Sequence, residues 1–363
     1  LADLGADVIR IERPQRDRIV PDDFSGAGDG ANPWDVLSRS RERIAVDLRD
    51  PRGVALVTDL VARADVIIEG FRPGVVERLG VGPDALCAVN ERLIYARMTG
   101  YGREGPRATE AGHDLNYLAV AGVLAHIGRV DQPPSPPLNL VGDFGGGAML
   151  LVAGILAALV ERSTSGSGQI VDAAMVDGAA LLMASLYGAY SSGYWSADRG
   201  TNLLDGGAPF YDCYECADGT WLSVAAIEPA FYAAFLDGIG VGTADLPDQH
   251  DQSRWPELRS RIAAAVLERT RDEWCAVFEG VDACVAPVLT MGEAPHDPHA
   301  VARGAFVDQG GVFQPAPAPR FSRTVPDQPA VGRDVGDPHE TLGRWGVATE
   351  RIDDLVDAGV VGP

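Results

Sequence analysis

Two short segments hold the side chains best suited to moving protons. His113-Asp114 stands ahead of one apolar stretch and Asp143 ahead of another, and a proline-rich turn, Gln132–Pro137, lies between them. That turn folds the chain back, so the two segments can face each other. Histidine titrates nearest to neutral pH, and burial tunes a carboxyl toward it. Such a pair can take a proton from one face of a carbon and return one to the other, which is the chemistry of inverting a carbon centre without a cofactor. A second reading is structural: Asp114 and Asp143 each stand where a helix N-cap belongs, and Asp favours that place because its oxygens accept the free amides of the first turn. The spacing alone leaves both open.

Composition narrows the ligand. The chain has 363 residues, 46% hydrophobic and 23% charged, with a net charge of -22. That length predicts two domains with ample core. The charge argues against nucleic acid or an anionic membrane as partner. A small polyanion is still admissible, because the basic residues cluster: residues 1–107 hold 16 of them against 18 acidic ones, whereas residues 108–363 hold 14 against 34. All 30 are arginine. Without lysine there is no pyridoxal Schiff base and no P-loop of the GK[ST] type. The five cysteines (Cys87, Cys213, Cys216, Cys275, Cys284) are odd in number and scattered, which suits a reducing, cytoplasmic compartment. Cys213 and Cys216 form a single CxxC without a second pair, a poor zinc signal. The longest apolar run, Ala148–Val160, is broken by Gly154 and too short for a membrane span, which predicts a buried helix.

The elements that position these residues alternate. Val8–Ile11, Arg43–Asp47, Ala64–Glu69 and Leu93–Met98 read as strands; Pro51–Arg63, Val75–Leu79 and Pro83–Asn90 read as helices. This pattern predicts a parallel sheet covered by helices. The loops after these strands carry Arg13, Arg49, Arg72 with Arg78, and Arg97, at the sheet edge where open α/β sheets bind ligands; arginine's fork suits phosphate oxygens. Helices are expected at Leu115–Ile127, Gly145–Arg162 and Val176–Tyr190, and the glycines Gly145–Gly147 at a close helix contact. Further on, strands at Pro209–Cys216 and Thr220–Ala226 are joined through Asp218-Gly219, a hairpin signal. With helices near Trp255–Glu268 and Arg271–Gly280 and a strand at Ala283–Leu289 they make a small α+β unit. Pro295–Pro319 reads as a linker, and His339–Trp345 and Thr349–Ala358 as closing helices.

Several longer blocks resemble one family: LADLGADVIRIERP, DVIIEGFRPGVVERLG, LIYARMTGYGREGP, AGHDLNY, NLVGDFGGG, GQIVDAAMVDG, LDGGAPFYDCYECADG and AIEPAFY. Over nearly the whole chain the sequence is similar to the family III CoA-transferases, and within them to the α-methylacyl-CoA racemases. The resemblance implies an α/β fold with a large Rossmann-like domain, residues 1–173 completed by 318–363, and a small α+β domain, 204–298, joined by linkers 174–203 and 299–317. It also implies an interlocked homodimer whose active sites lie between the large domain of one subunit and the small domain of the other. A further strand and helix are expected ahead of Leu1, and the loop Pro14–Ser40 is longer than the family's.

Carried over by motif, His113 and Asp143 correspond to the acid/base pair and Glu228 to the carboxylate that pairs with the histidine. CoA contacts fall on Arg13, on Val46, Asp47, Leu48 and Arg49, on Gly70, Arg72 and Arg78, and on Gly112, Asp114 and Tyr117. The implied reaction inverts the α-carbon of a 2-methyl-branched acyl-CoA through an enolate, with neither metal nor other cofactor, CoA being part of the substrate. Its rivals are a CoA-transferase in which Asp114 attacks the thioester to form an anhydride, and an inactive CoA-binding homologue.

Overall fold

The computed structural model describes residues 1–14, 36–242, 246–330 and 336–362; most of the loop Pro14–Ser40 lies outside them. The chain divides into two compact units. Unit 1 comprises Leu1–Thr99, Leu151–Ala173 and Met291–Pro363, and unit 2 comprises Gly100–Leu150 and Ala174–Thr290.

Unit 1 opens with β1 (Ile9–Glu12), β2 (Glu42–Val46), α1 (Pro51–Val61), β3 (Val66–Glu69), α2 (Val75–Arg78), α3 (Pro83–Val89) and β4 (Ile94–Thr99). β1 and β2 are parallel, as are β3 and β4. The expected alternation is therefore present, but the described strands of this part form two sheets rather than one: β1-β2 completed by Val361–Gly362 (β11), and β3-β4 completed by Ile170–Ala174 (β5). α1 lies between two cores: Leu56 and Leu60 pack with Ile44, Leu342 and Ile352, while Val57 and Val61 pack with Leu86 and Tyr95. Adjacent i, i+4 pairs on one helix thus face different neighbours. Asp50 caps α1 by accepting the Arg52 amide at 2.8 Å, with Pro51 in its first turn.

The chain then enters unit 2 with α4 (Asp114–Val120) and a π-helix, Leu140–Met149. It returns to unit 1 through α5 (Leu150–Ser165) and β5 (Ile170–Ala174). By length and composition the stretch Leu140–Ser165 would suffice to cross a membrane. In α5, Leu151, Ile155 and Ala158 are buried, packing among Ala96 and Ala173, while Ala153, Leu156, Ala157 and Val160 are exposed. The helix expected to be buried is buried along one stripe only.

The rest of unit 2 is α6 (Met175–Leu182), α7 (Ala184–Ser191), β6 (Tyr211–Glu215), β7 (Trp221–Ala225), α8 (Pro229–Gly238), α9 (Trp255–Val266), α10 (Arg271–Phe278) and β8 (Val285–Pro287). The three strands are antiparallel around a core of Phe210, Leu222, Phe235, Ile262 and Trp274. α6, placed in a linker by the sequence, packs tightly on the π-helix: a Cβ on Gly178 would fall 1.8 Å from the Gly146 carbonyl oxygen. Only two glycines allow that approach, and it ties Ala174–Leu182 to the segment that carries Asp143. Unit 1 closes with α11 (Pro298–Arg303), a hairpin of β9 (Phe306–Gln309) and β10 (Val312–Pro315), α12 (Pro338–Arg344), α13 (Thr349–Asp357) and β11 (Val361–Gly362). The hairpin and α11 occupy what the prolines mark as linker.

Candidate active site

His113, Asp114 and Asp143 belong to one local structure in unit 2. His113 is the N-cap of α4 and is exposed; its amide donates to Asn116 Oδ1 at 3.1 Å. Asp114, the first residue of α4, points inward and is 5% exposed. Its Oδ2 accepts the amides of Gly142 and Asp143, both at 2.8 Å. Asp114 thus caps, but the helix it caps is the π-helix of the facing segment. Gly142 has to be glycine, because a Cβ there would lie 2.6 Å from that oxygen. The other carboxylate oxygen, Oδ1, is buried with no hydrogen-bond partner among the described residues.

Asp143 is inside the first turn of the π-helix, not ahead of a helix as the sequence suggests. Short π-type turns recur at functional sites; here the capping carboxylate holds the turn that carries Asp143. Burial lifts the Asp143 carboxyl above the ordinary carboxylate range. Asn139, whose amide donates to Asp143 Oδ2 at 3.3 Å, works against the lift; the charge of Asp114 adds to it, and His113 opposes it. A carboxyl raised above its ordinary range near an exposed imidazole suits alternate proton donation and removal. Sequence reasoning gave Asn139 no role; its signal was the i, i+4 spacing to Asp143.

Glu228 is also in unit 2, exposed at the N-cap of α8. Among the described residues it forms no hydrogen bond or ion pair with His113. Tyr117 is buried, its hydroxyl bonded to the Gly112 carbonyl oxygen and its ring edge-on to Tyr101 at 4.9 Å. A Cβ on Gly100 would meet that ring at 2.2 Å. Tyr117 therefore shapes the Gly112–His113 turn from below.

The arginines expected to bind phosphate are in unit 1 and divide into two kinds. Arg13, Arg72 and Arg78 are exposed, and neither Arg72 nor Arg78 forms an ion pair among the described residues. Gly70 is exposed beside them. Arg49 is exposed but pairs with Asp47 at 3.0 Å in its own turn. Val46 is core, 2% exposed, and Leu48 is half-buried against the same cluster. Arg97 departs from expectation: it is inside β4 rather than in a loop, 2% exposed, and paired with Glu69 at 2.7 Å and Glu77 at 2.9 Å. It is not available to a phosphate. Of the CxxC pair, Cys213 is exposed on β6, while Cys216 is buried and its thiol is pushed up to about 11 by burial.

Residues 1–335 match the model of CoA-transferase family III. The chain belongs to that family. Among characterised members of the CoA-transferase family III, it is similar to the alpha-methylacyl-CoA racemase of Mus musculus, 44% identical over 356 residues (97% of this chain and 89% of that protein). Identity to the alpha-methylacyl-CoA racemase of Homo sapiens is 42% over 358 residues, with the same coverage. A crystal structure of a CAIB/BAIF family protein from Brucella suis superposes with a TM-score of 0.75 at 25% identity, covering 94% of this chain and 92% of that one. Within this member of CoA-transferase family III, Asp114 has one carboxylate oxygen committed to two amides and the whole side chain under cover, while Asp143 is partly covered and His113 is exposed.

Proposed function

We propose that the protein is an isomerase that inverts the α-carbon of 2-methyl-branched acyl-CoA thioesters. The observation that carries this reading is that a partly covered Asp143, its carboxyl shifted upward, and an exposed His113 stand on two helix starts locked together by Asp114. The similarity to two alpha-methylacyl-CoA racemases supports it. In one direction His113 removes the α-proton to give the enolate, becoming imidazolium, and protonated Asp143 delivers a proton to the opposite face. In the other direction the roles reverse, and net charge and protons balance over the cycle. In this proposal Arg13, Arg72 and Arg78 hold CoA phosphates, no metal or further cofactor takes part, and the enzyme works in the cytoplasm.

We infer that the working form is a homodimer. Each unit exposes an apolar face: Leu156 and Val160 on α5 in unit 1, and Leu181, Leu182, Tyr187, Tyr190 and Tyr194 on and after α6 and α7 in unit 2. Val160 and Tyr194 are 71% and 73% exposed, and clusters of such residues mark association surfaces. A second copy would also supply a Glu228 for the imidazolium of His113, which makes no bond to its own Glu228 among the described residues.

The experiment is incubation of each enantiomer of a 2-methylacyl-CoA in deuterium oxide with no free acid present. Both should converge on one mixture carrying deuterium at the α-carbon. No exchange, together with a new acyl-CoA when a free carboxylic acid is added, would assign transferase chemistry through Asp114 instead.

A further inference from the structure

β3 ends at Glu69, and the chain then runs through Gly70-Phe71-Arg72-Pro73-Gly74 into the single turn of α2, which ends at Arg78. None of residues 70–74 is buried, and the one core residue of α2 is Val76. Apolar packing therefore does little to place Arg72 and Arg78. The guanidinium of Arg78 folds back along the loop, since a Cβ on Gly74 would come 3.2 Å from its Nη1.

Polar bonds from the neighbouring strand supply what packing does not. Arg97 is the direct partner of Glu69 in the parallel β3–β4 ladder. Its Nε donates to Glu69 Oε1 at 2.7 Å, and its Nη2 donates to Glu77 Oε1 at 2.9 Å. The second oxygen of Glu69 accepts the amide of Phe71 at 2.7 Å. One buried guanidinium thus grips the loop where it leaves the sheet and again where it becomes helix. Tyr95, two residues earlier and so on the same face of β4, donates its hydroxyl to the Val81 carbonyl at 2.8 Å just beyond α2, with Arg97 5.5 Å from its ring centre. Charge-assisted bonds of this kind are strong and directional, and in a covered setting they fix geometry. They also quench Glu69, whose free charge would repel a phosphate above it.

We propose that Arg97 and Glu69 are positioning residues that clamp the Gly70–Arg78 loop in the shape that lets Arg72 and Arg78 hold the phosphates of CoA. The proposal rests on the reading of that loop as a nucleotide site. It gives the buried Arg97 a part in substrate affinity, acting through the exposed Arg72 and Arg78.

The test compares acyl-CoA with the corresponding acyl-pantetheine thioester, which lacks the nucleotide phosphates. Glu69→Gln keeps the size but offers one acceptor where two are used, so it must lose either Arg97 or the Phe71 amide. Arg97→Lys keeps the charge but not the fork. Both should raise KM for acyl-CoA about tenfold with kcat within about twofold, leave KM for the acyl-pantetheine unchanged, and speed amide exchange in residues 70–78. Glu77→Gln, at the exposed end of the clamp, should give a smaller rise of the same kind and serves if the buried variants do not fold. Unchanged KM in folded clamp variants, with Arg72→Ala raising it, overturns the clamp. Unchanged KM in Arg72→Ala itself overturns the nucleotide reading on which it stands.

Discussion

Replacing Asp114 by alanine removes the acceptor of two amides at once. The Gly142 amide is buried and, left bare, costs about 1–3 kcal/mol. The Asp143 amide is partly covered and costs about 1 kcal/mol. Against this, the variant no longer buries the unpartnered Oδ1, which returns roughly 1 kcal/mol. The net expectation for Asp114→Ala is a loss of about 2 kcal/mol. Asp114→Asn keeps one acceptor in place and exchanges charge-assisted bonds for neutral ones while burying no charge, so it should lose about 1 kcal/mol or less. Urea denaturation followed by tryptophan fluorescence reads the right part of the molecule, because Trp195, Trp221, Trp255 and Trp274, four of the six tryptophans, lie in unit 2. The catalytic arm uses the same proteins: folded Asp114→Asn should still exchange the α-proton of a 2-methylacyl-CoA. Equal stability of wild type and Asp114→Ala would refute the capping argument. Complete loss of exchange in well-folded Asp114→Asn, with acyl transfer lost alongside, would make Asp114 a nucleophile.

Asp143 holds its proton more tightly in the folded chain than in the unfolded one, so its contribution to stability declines as pH rises from the ordinary Asp range through its raised folded value. Asp143→Asn, uncharged throughout, should therefore be more stable than wild type at pH 7, with the difference closing in acid, although it no longer inverts the centre; thermal melts at pH 7 and below pH 4 check the sign. On α5, Leu156→Glu or Val160→Glu places a charge on the exposed stripe and should shift the sedimenting species from dimer to monomer; an unchanged dimer places the interface elsewhere.

Much of this site is legible in the residues because its chemistry is local. His113-Asp114 and Asp143 are picked out by type, and the strand and helix pattern of unit 1 follows from alternating apolar runs and from Pro51 and Pro83 at helix starts. What the sequence hides is the partner across space. Asp114 was legible as a cap but not as the cap of another helix, since no spacing rule relates residues 28 and 29 apart. Arg97 read as one more phosphate arginine because its two carboxylate partners, 28 and 20 residues away, converge only through the β3–β4 register. The β9–β10 hairpin was masked by the prolines around it; Pro315 sits at its end, where a strand tolerates one.

The central claim is that two groups, His113 and Asp143, work on opposite faces of one carbon. The most direct measurement is α-proton exchange in deuterium oxide for each enantiomer of a 2-methylacyl-CoA, read separately for His113→Ala and Asp143→Asn. The account predicts that neither variant inverts the centre, and that each keeps exchange for one enantiomer only, the two variants sparing opposite enantiomers because each retains the base on one face. Inversion by either single variant, or both variants sparing the same enantiomer, would contradict it.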